Sequence, residues 1–331
     1  MTNSSKMLTP RPMAKLLSLV IPVYNEEQVI PHLRKQLSEF ARALPCEVEF
    51  VFVNDGSSDG TAEVLVEWAK VDAHVKIINL ARNFGHQIAS TAGLDYAQGD
   101  AVVLMDADLQ DSPEIIPQML EKYCQGYDVV YAHRLEREGE TWFKEFTAWA
   151  FYRLMRTFVH KDLPADVGDF RLMSSRFLNA LRQMRETHRF LRGMVSWIGY
   201  PQTAVEFRRP TRIAGRTKFS VCSMLAFGIT AILSFSSIPL RLSVFFGLLI
   251  AGLSAAWGLY SIFHALILKD TVPGWTTLVI LQAMLGGSIL ISIGVMGEYV
   301  ARTYEQSKQR PLYFVASTIN LSETESDHLA D

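Results

Sequence analysis

Leu16-Leu17-Ser18-Leu19-Val20-Ile21-Pro22-Val23, running straight into Tyr24-Asn25-Glu26-Glu27, decides how the first half of the chain is built. An uncharged run of strand length that stops at a polar, acid-bearing turn reads as a strand buried on both faces, with a loop at its carboxyl end. Similar runs follow at Glu47–Asn54, Val75–Leu80, Ala101–Asp106 and Asp128–Ala132. Helical stretches separate them, roughly Glu27–Leu44, Thr61–Val71, Gln87–Ala97 and Pro113–Tyr123. This alternation predicts an α/β fold: right-handed crossovers, a mainly parallel sheet and helices on both faces. In such sheets ligands bind outside the carboxyl ends of the strands.

Three polar loops fall at that edge. Pro22-Val23-Tyr24-Asn25-Glu26 ends the first strand, Asn54-Asp55-Gly56-Ser57-Ser58-Asp59-Gly60 the second, and Asp106-Ala107-Asp108 the fourth. Taken singly, each has a plain reading. The second is rich in turn formers, and Ser58 or Asp59 would serve as a helix cap. Asp106 and Asp108 alone would pass for an exposed turn. Three acid-bearing loops behind three buried strands point instead to one ligand crevice. A nucleoside diphosphate-sugar fits it chemically. A carboxylate accepts hydrogen bonds from base or ribose, while two further carboxylates hold Mg²⁺ or Mn²⁺ against the pyrophosphate. In an extended loop residues i and i+2 point the same way, so Asp106, Asp108 and Gln110 are expected to face one ion.

The rest of the chain has a different character. Overall charge is balanced, 32 basic residues against 34 acidic, which excludes a general nucleic-acid binder. Cys46, Cys124 and Cys222 are scattered and form no metal-ligand spacing, so they read as reduced packing residues. The polar residues 1–15 lack an apolar core of signal-peptide length and are expected to be disordered. No Asp, Glu, Lys or Arg occurs from Leu242 to Leu268, nor from Thr271 to Gly297, two runs of 27 residues each. At about 1.5 Å per residue each helix would reach ~40 Å, more than the ~30 Å hydrocarbon core of a bilayer. Only Lys269 and Asp270 separate them, which predicts a tight transmembrane hairpin. Basic residues flank it on both sides, Arg208, Arg209, Arg212, Arg216, Lys218 and Arg241 before, Arg302, Lys308 and Arg310 after. Both flanks therefore belong in the cytoplasm. Gly286, Gly287, Gly294 and Gly297 give the second span a small-residue face, from which a homo-oligomer is expected. Thr141–His160, aromatic with interleaved basic residues, reads as an interfacial or core-packing helix, and Phe219–Ile238 as a juxtamembrane helix or a third span.

The loop residues carry a family resemblance. Val20-Ile21-Pro22-Val23-Tyr24-Asn25-Glu26-Glu27, Val53-Asn54-Asp55-Gly56-Ser57-Ser58-Asp59-Gly60-Thr61 and Met105-Asp106-Ala107-Asp108-Leu109-Gln110-Asp111 resemble the family 2 inverting glycosyltransferases of GT-A fold. Arg82-Asn83-Phe84-Gly85-His86, Gly168-Asp169-Phe170-Arg171-Leu172-Met173 and Gly215-Arg216-Thr217-Lys218-Phe219 narrow this to polyprenyl-phosphate glycosyltransferases related to dolichyl-phosphate mannose synthase. The two-span C-terminus is similar to that of bacterial bactoprenol glucosyltransferases. The resemblance extends over residues 16 to 308.

That resemblance implies roles. Pro22, Tyr24, Glu26 and Asp55 line the nucleotide pocket, with Arg82, Gly85 and His86 beside it. Asp106, Ala107 and Asp108 complete the nucleotide-sugar site, Asp106 and Asp108 carry the metal, and Gln110 is a third ligand or its partner. Arg134, Arg212, Arg216 and Lys218 hold the acceptor phosphate, guanidinium groups being suited to bidentate contacts. Asp169 is the catalytic base or, because a phosphomonoester is already anionic near neutral pH, a group that orients the acceptor cations; Asp166 is its rival. The expected organisation is a disordered N-terminus (1–15), a cytoplasmic catalytic domain (16–210), a juxtamembrane segment (211–239), two transmembrane helices (240–303) and a cytoplasmic tail (304–331). The implied activity is transfer of a hexose, from UDP-glucose in the first instance, to undecaprenyl phosphate or a similar lipid at the inner membrane. GDP-mannose, UDP-GlcNAc or a UDP-aminoarabinose-type sugar are the alternative donors. A polysaccharide synthase shares the early motifs, but the chain has no QxxRW. A non-enzymatic scaffold would not need intact metal acids.

Overall fold

This computed structural model describes residues 8–134, 167–207, 233, 236–267 and 274–321. The chain divides into two compact units, Phe227–Arg310 and everything outside it.

In the larger unit β1 (Leu16–Val23), β2 (Glu47–Asn54) and β3 (Val75–Leu80) have the bounds that the apolar runs predict. β4 (Ala101–Leu104) stops short, leaving Asp106 in a loop, and β5 (Val129–Arg134) is displaced toward its carboxyl end. Helices α1 (Ile30–Ala43), α2 (Thr61–Val71), α3 (His86–Tyr96) and α4 (Ile116–Cys124) alternate with these strands. They are followed by β6 (Val167–Ser174), α5 (Ser175–Arg182), α6 (Leu191–Ile198) and β7 (Gln202–Phe207). The sheet order is β7-β5-β6-β4-β1-β2-β3-β8, with β8 at Val315–Ile319. β1 through β4 run parallel, β5 pairs parallel with β7, and only β6 and β8 run against their neighbours.

The central strands are apolar on both faces because helices cover both. Leu17, Leu19 and Ile21 of β1 and Phe52 of β2 are fully buried, and Trp68 of α2 packs on the Phe50 and Phe52 rings at 5.8 and 5.2 Å. Trimming any of these leucines to alanine would cost about 2–5 kcal/mol, the transfer term plus the cavity left behind. The buried acid of β2, Glu49, is satisfied by Lys76 at 2.9 Å, by Ser18 and by the Gln98 N–H.

The first and last described segments are better anchored than their composition suggests. Residues 9–14, expected to be disordered, are held in place: the Arg11 N–H donates to Cys124 O, and its guanidinium bonds to Gly126 O and to the buried Asp128. Asp128 also binds Ser174 and Arg176, so Arg11 joins a buried carboxylate that needs several donors. At the other end, part of the expected tail becomes β8. It pairs antiparallel with β3, and Asn320 closes it by donating to Ala69 O and Val75 O.

The smaller unit contains α7 (Ile238–Ile267, 30 residues) and α8 (Trp275–Ser307, 33 residues), which pack on each other. Both are long and apolar enough to cross a membrane, over Ile238–His264 and Ile280–Ser307, and neither apolar window is buried. An added Cβ at Gly286, Gly287, Gly294 or Gly297 would meet nothing within 4 Å, so the small-residue face is unused among the described residues. The Lys269–Asp270 turn, the segment 141–160, nearly all of the juxtamembrane stretch, Asp166, Arg212, Arg216 and Lys218 lie outside the described residues.

Candidate active site

All the parallel strands deliver their carboxyl ends to one edge of the sheet, and antiparallel β6 delivers its first residues there. The loops at that edge are laced together by short polar side chains. Asn25, in a left-handed conformation (φ 55°), accepts from the Ser58 N–H at 2.8 Å, while its own N–H donates to Ser57 Oγ at 3.0 Å. The Glu26 N–H donates to Thr61 Oγ1, and Glu27 accepts from Gly60. Asp59 accepts from the Thr61 N–H at the start of α2, while the N-cap position itself is taken by Gly60. Gly56 (φ +65°) turns this loop where a Cβ would lie 2.6 Å from the Arg82 backbone, so only glycine lets the second and third loops meet.

Asp55 completes that junction. It is buried, and its two oxygens accept from the Phe84 N–H (2.7 Å) and the Gly85 N–H (2.9 Å). Gly85 itself has φ +94°, which orients this N–H and begins α3. Asp55 thus joins two loops, and Pro22 and Ala107 are likewise buried at this edge. Pro22 lies beyond the last β1–β4 pair, Val20 with Leu104, where a residue lacking an N–H is tolerated. Tyr24 is exposed beside half-buried Glu26, and Arg82 is exposed with its guanidinium 4.2 Å over the Phe84 ring.

The centre of the site joins residues far apart in sequence. The β4–β6 register pairs Leu104 with Arg171; continued two residues further, it brings Asp106 level with Asp169. His86, the first residue of α3, lies between them, Nε2 being 3.4 Å from Asp106 Oδ1 and 3.7 Å from Asp169 Oδ2. Arg192 of α6 grips Asp169 with a two-pronged contact, Nε to Oδ1 at 2.9 Å and Nη2 to Oδ2 at 3.1 Å. Arg171, buried, donates to the backbone carbonyls of Gly168 and Asp169. Neither Arg192 nor Gln87, which reaches Asp169 Oδ2 at 3.5 Å, was singled out by sequence; the one signal is a charge inside the apolar Phe190-Leu191-Arg192-Gly193-Met194 run.

The electrostatics follow from this packing. Burial alone would raise Asp169, but the Arg192 guanidinium, then His86 and Arg171, hold it well below the usual carboxylate range. Burial alone would lower His86, but Asp169 and Asp106 raise it to about 9, so it is an imidazolium at neutral pH. Asp106 is pushed up by burial, and the nearby Asp169 and Asp108 carboxylates add to that. Crowded carboxylates of this kind are relieved by a cation.

Two carboxylates and an amide oxygen, from Asp106, Asp108 and Gln110, are hard oxygen donors of the type Mg²⁺ and Mn²⁺ prefer. The loop that carries them is not extended as expected. Leu109 adopts φ 59°, and the Gln110 N–H donates back to Asp108 Oδ1 at 3.2 Å, so a tight turn replaces the alternation of a strand. Asp111 braces it by accepting from the Asp106 N–H. Among the described residues no group of three or more His, Cys, Asp or Glu side chains converges as a metal cage. Arg134 ends β5 at the same edge of the sheet.

Comparison with known proteins identifies the family. The uncharacterized glycosyltransferase YkcC of Bacillus subtilis (strain 168) is 45% identical over 304 residues, covering 92% of this chain and 94% of that one. Bactoprenol glucosyl transferase of Shigella phage SfV is 40% identical over 299 residues, covering 90% and 97%. Among solved structures, glucosyl-3-phosphoglycerate synthase of Mycobacterium tuberculosis aligns with a TM-score of 0.47 at 16% identity, over 66% of this chain and 76% of that one. The family description "Glycosyl transferase family 2" matches residues 18–182. With relatives of this identity along nearly its whole length, the chain belongs to glycosyl transferase family 2.

Proposed function

We propose that this glycosyltransferase moves a hexose, from UDP-glucose, onto a polyprenyl phosphate such as undecaprenyl phosphate, with inversion at the anomeric carbon. Support for the acceptor comes from the bactoprenol glucosyl transferase of phage SfV, similar over 90% of the chain. The observation that carries the chemistry is the cluster in which His86 lies between Asp106 and Asp169, and Arg192 grips Asp169, at the carboxyl edge of the sheet. An oxygen of the lipid phosphate attacks the anomeric carbon while the bond from that carbon to the diphosphate breaks. The products are polyprenyl-phosphate hexose and UDP.

Two anions must meet, so the site's work is to supply positive charge at fixed points. His86 and Arg192 provide it at the cluster, and by resemblance Arg134, Arg212, Arg216 and Lys218 draw in the acceptor. Asp106, Asp108 and Gln110 would hold Mg²⁺ or Mn²⁺, which when bound neutralises the departing diphosphate. Tyr24 and Glu26 receive the nucleoside. Asp169 stays ionised between its cations and orients them. The acceptor, whose second pKa is near 6, needs little help from a base at neutral pH.

The reaction belongs at the cytoplasmic face of the membrane, with α7 and α8 as its two spans. They are not core helices, because their apolar side chains are unburied. Support for this topology comes from the chain before α7 and the strand β8 after α8, which share one sheet-forming unit and so fit an even number of crossings. Labelling Asp270→Cys and Ser322→Cys in intact cells tests this: only the first should react with an impermeant reagent, and the reverse would overturn the topology.

The activity itself is tested by incubating the purified protein with undecaprenyl phosphate, Mg²⁺ or Mn²⁺, and labelled UDP-glucose, GDP-mannose, UDP-GlcNAc or a UDP-aminoarabinose. Label from UDP-glucose appearing in the lipid phase is the expected result. Transfer from a different donor would replace the sugar, and no lipid product with any donor would overturn the proposal.

A further inference from the structure

We infer that Arg192 and Gln87 are positioning residues that hold Asp169 from two helices and fix which edge of its carboxylate faces the reacting groups. The inference rests on the proposed reaction only in taking Asp169 as a member of the transfer site.

The geometry is that of a brace. Arg192 meets both oxygens of Asp169 at 2.9 and 3.1 Å, fork against fork. A two-point contact of planar groups removes the rotation that a single hydrogen bond would leave to the carboxylate. Gln87 ties that contact to α3: its Oε1 accepts from the Leu191 N–H at 3.0 Å, and its Nε2 approaches Asp169 Oδ2 at 3.5 Å. The first turns of α3 and α6, 104 residues apart in sequence, are thereby joined through one side chain. Those same turns carry His86 and Arg192. Moving α6 would therefore disturb Asp169 and its relation to His86 together. Arg171 secures the backbone at Gly168 and Asp169 and adds a single, longer contact to the carboxylate, Nη2 to Oδ1 at 3.5 Å, without the two-point grip of Arg192. Arg192 and Gln87 both reach Oδ2, and the same oxygen faces His86 Nε2 at 3.7 Å and, through it, Asp106.

A positioning role makes a prediction that a merely structural one does not. The full-length protein in detergent would be compared as wild type, Arg192→Gln, Arg192→Lys, Gln87→Leu, Asp169→Asn and the double variants with Asp169→Asn. Arg192→Gln should lower kcat roughly 10²-fold with both KM values within about threefold, and UDP affinity by calorimetry should be unchanged. Arg192→Lys keeps the charge but not the fork and should recover only part of the rate. Gln87→Leu should act in the same direction and less strongly. In the Asp169→Asn background, either substitution should cost less than about threefold more, because the carboxylate they position is already gone. Losses that multiply in the double variants would overturn the inference. So would a raised acceptor KM with kcat preserved, which would make Arg192 a phosphate ligand. If Arg192→Gln fails to fold, the cycle runs on Arg192→Lys and Gln87→Leu. If wild type transfers no sugar to undecaprenyl phosphate, the proposed function fails separately, and slow hydrolysis of UDP-glucose carried through the same cycle still tests the brace.

Discussion

The two units use the same apolar residues in opposite ways. In the sheet unit Leu17, Leu19 and Phe52 are fully buried, whereas Leu248, Leu259 and Leu290 of the helix pair are each about 70% exposed. The first unit is held together by removing apolar area from water, worth about 25 cal/mol per Å². The second buries little against itself, yet a helix satisfies its backbone hydrogen bonds internally and needs no core when hydrocarbon is its solvent. The polar groups divide accordingly. The sheet unit concentrates carboxylates, imidazole and guanidinium at one edge, and the helix pair confines its Glu298–Arg302 ion pair to the last turns of α8.

The strongest test of this division is at the crowded carboxylates. Asp108→Ala should lower Mg²⁺- or Mn²⁺-dependent transfer by about 10³-fold or more while the melting temperature holds, since the residue lies in a loop outside the core. EDTA should do the same to the wild type. Near-normal turnover of the variant in excess EDTA would remove the metal from the account and blur the contrast between a chemical edge and an inert anchor.

Next in size is Asp169→Asn, expected to slow turnover by about 10²- to 10³-fold with UDP affinity kept. Its pH dependence carries the information. A carboxyl held well below its usual range is ionised throughout pH 6–9, and what it contributes is lost only as pH falls through its depressed folded-state value. The deficit of the Asn variant should therefore be nearly flat from pH 6 to 9. A deficit that shrinks as pH rises would restore Asp169 as a general base.

A smaller effect separates the solvents of the two units directly. Leu248→Arg should weaken membrane insertion by about 2.5–3.5 kcal/mol if that side chain faces hydrocarbon, against about 0.5 kcal/mol for an exposed position in water. The fraction retained in carbonate-washed membranes measures it, and wild-type retention would break the comparison. Smallest is Tyr313→Phe. The Tyr313 hydroxyl donates to Asp95 Oδ2 at 2.9 Å, while Arg185 holds the same oxygen at 2.7 Å. Losing one of two partners should cost about 1 kcal/mol, a drop of about 2–4 °C in melting temperature. No change would mean that the segment after α8 contributes little to the sheet unit.

Much of this was readable from local pattern. The bounds of β1, β2 and β3 follow from short runs rich in β-branched residues, and Asn54 through Gly60 announces its turn by composition. Asp106 and Asp108 could be assigned to the ligand edge because a strand preceded them. The two charge-free stretches predicted α7 and α8 to within a few residues at most ends, though α8 runs on past Gly297 to Ser307. Reading Asp106, Asp108 and Gln110 as an alternating strand was the local inference that misled, because Leu109 enters a left-handed conformation that nothing in an Asp-Leu-Gln sequence demands.

What the sequence by itself determined, then, is everything set by periodicity over a few residues: alternating strands and helices, acid-bearing loops at strand ends, and two apolar helices longer than a bilayer is thick. Tertiary structure alone decided the rest. The antiparallel direction of β6 is what brings Asp169 level with Asp106, and the Gln87–Leu191 bond is what delivers Arg192 to it. Residues 315–319 became the edge strand of a sheet whose neighbouring strand was made more than two hundred residues earlier. Arg11 found Asp128 across 117 residues of chain. Period 2 or 3.6 records which face of an element is apolar, but carries no record of which distant element will cover it or in which direction. That choice is made when buried carboxylates and open strand edges must all find partners at once, and only the folded chain satisfies them together.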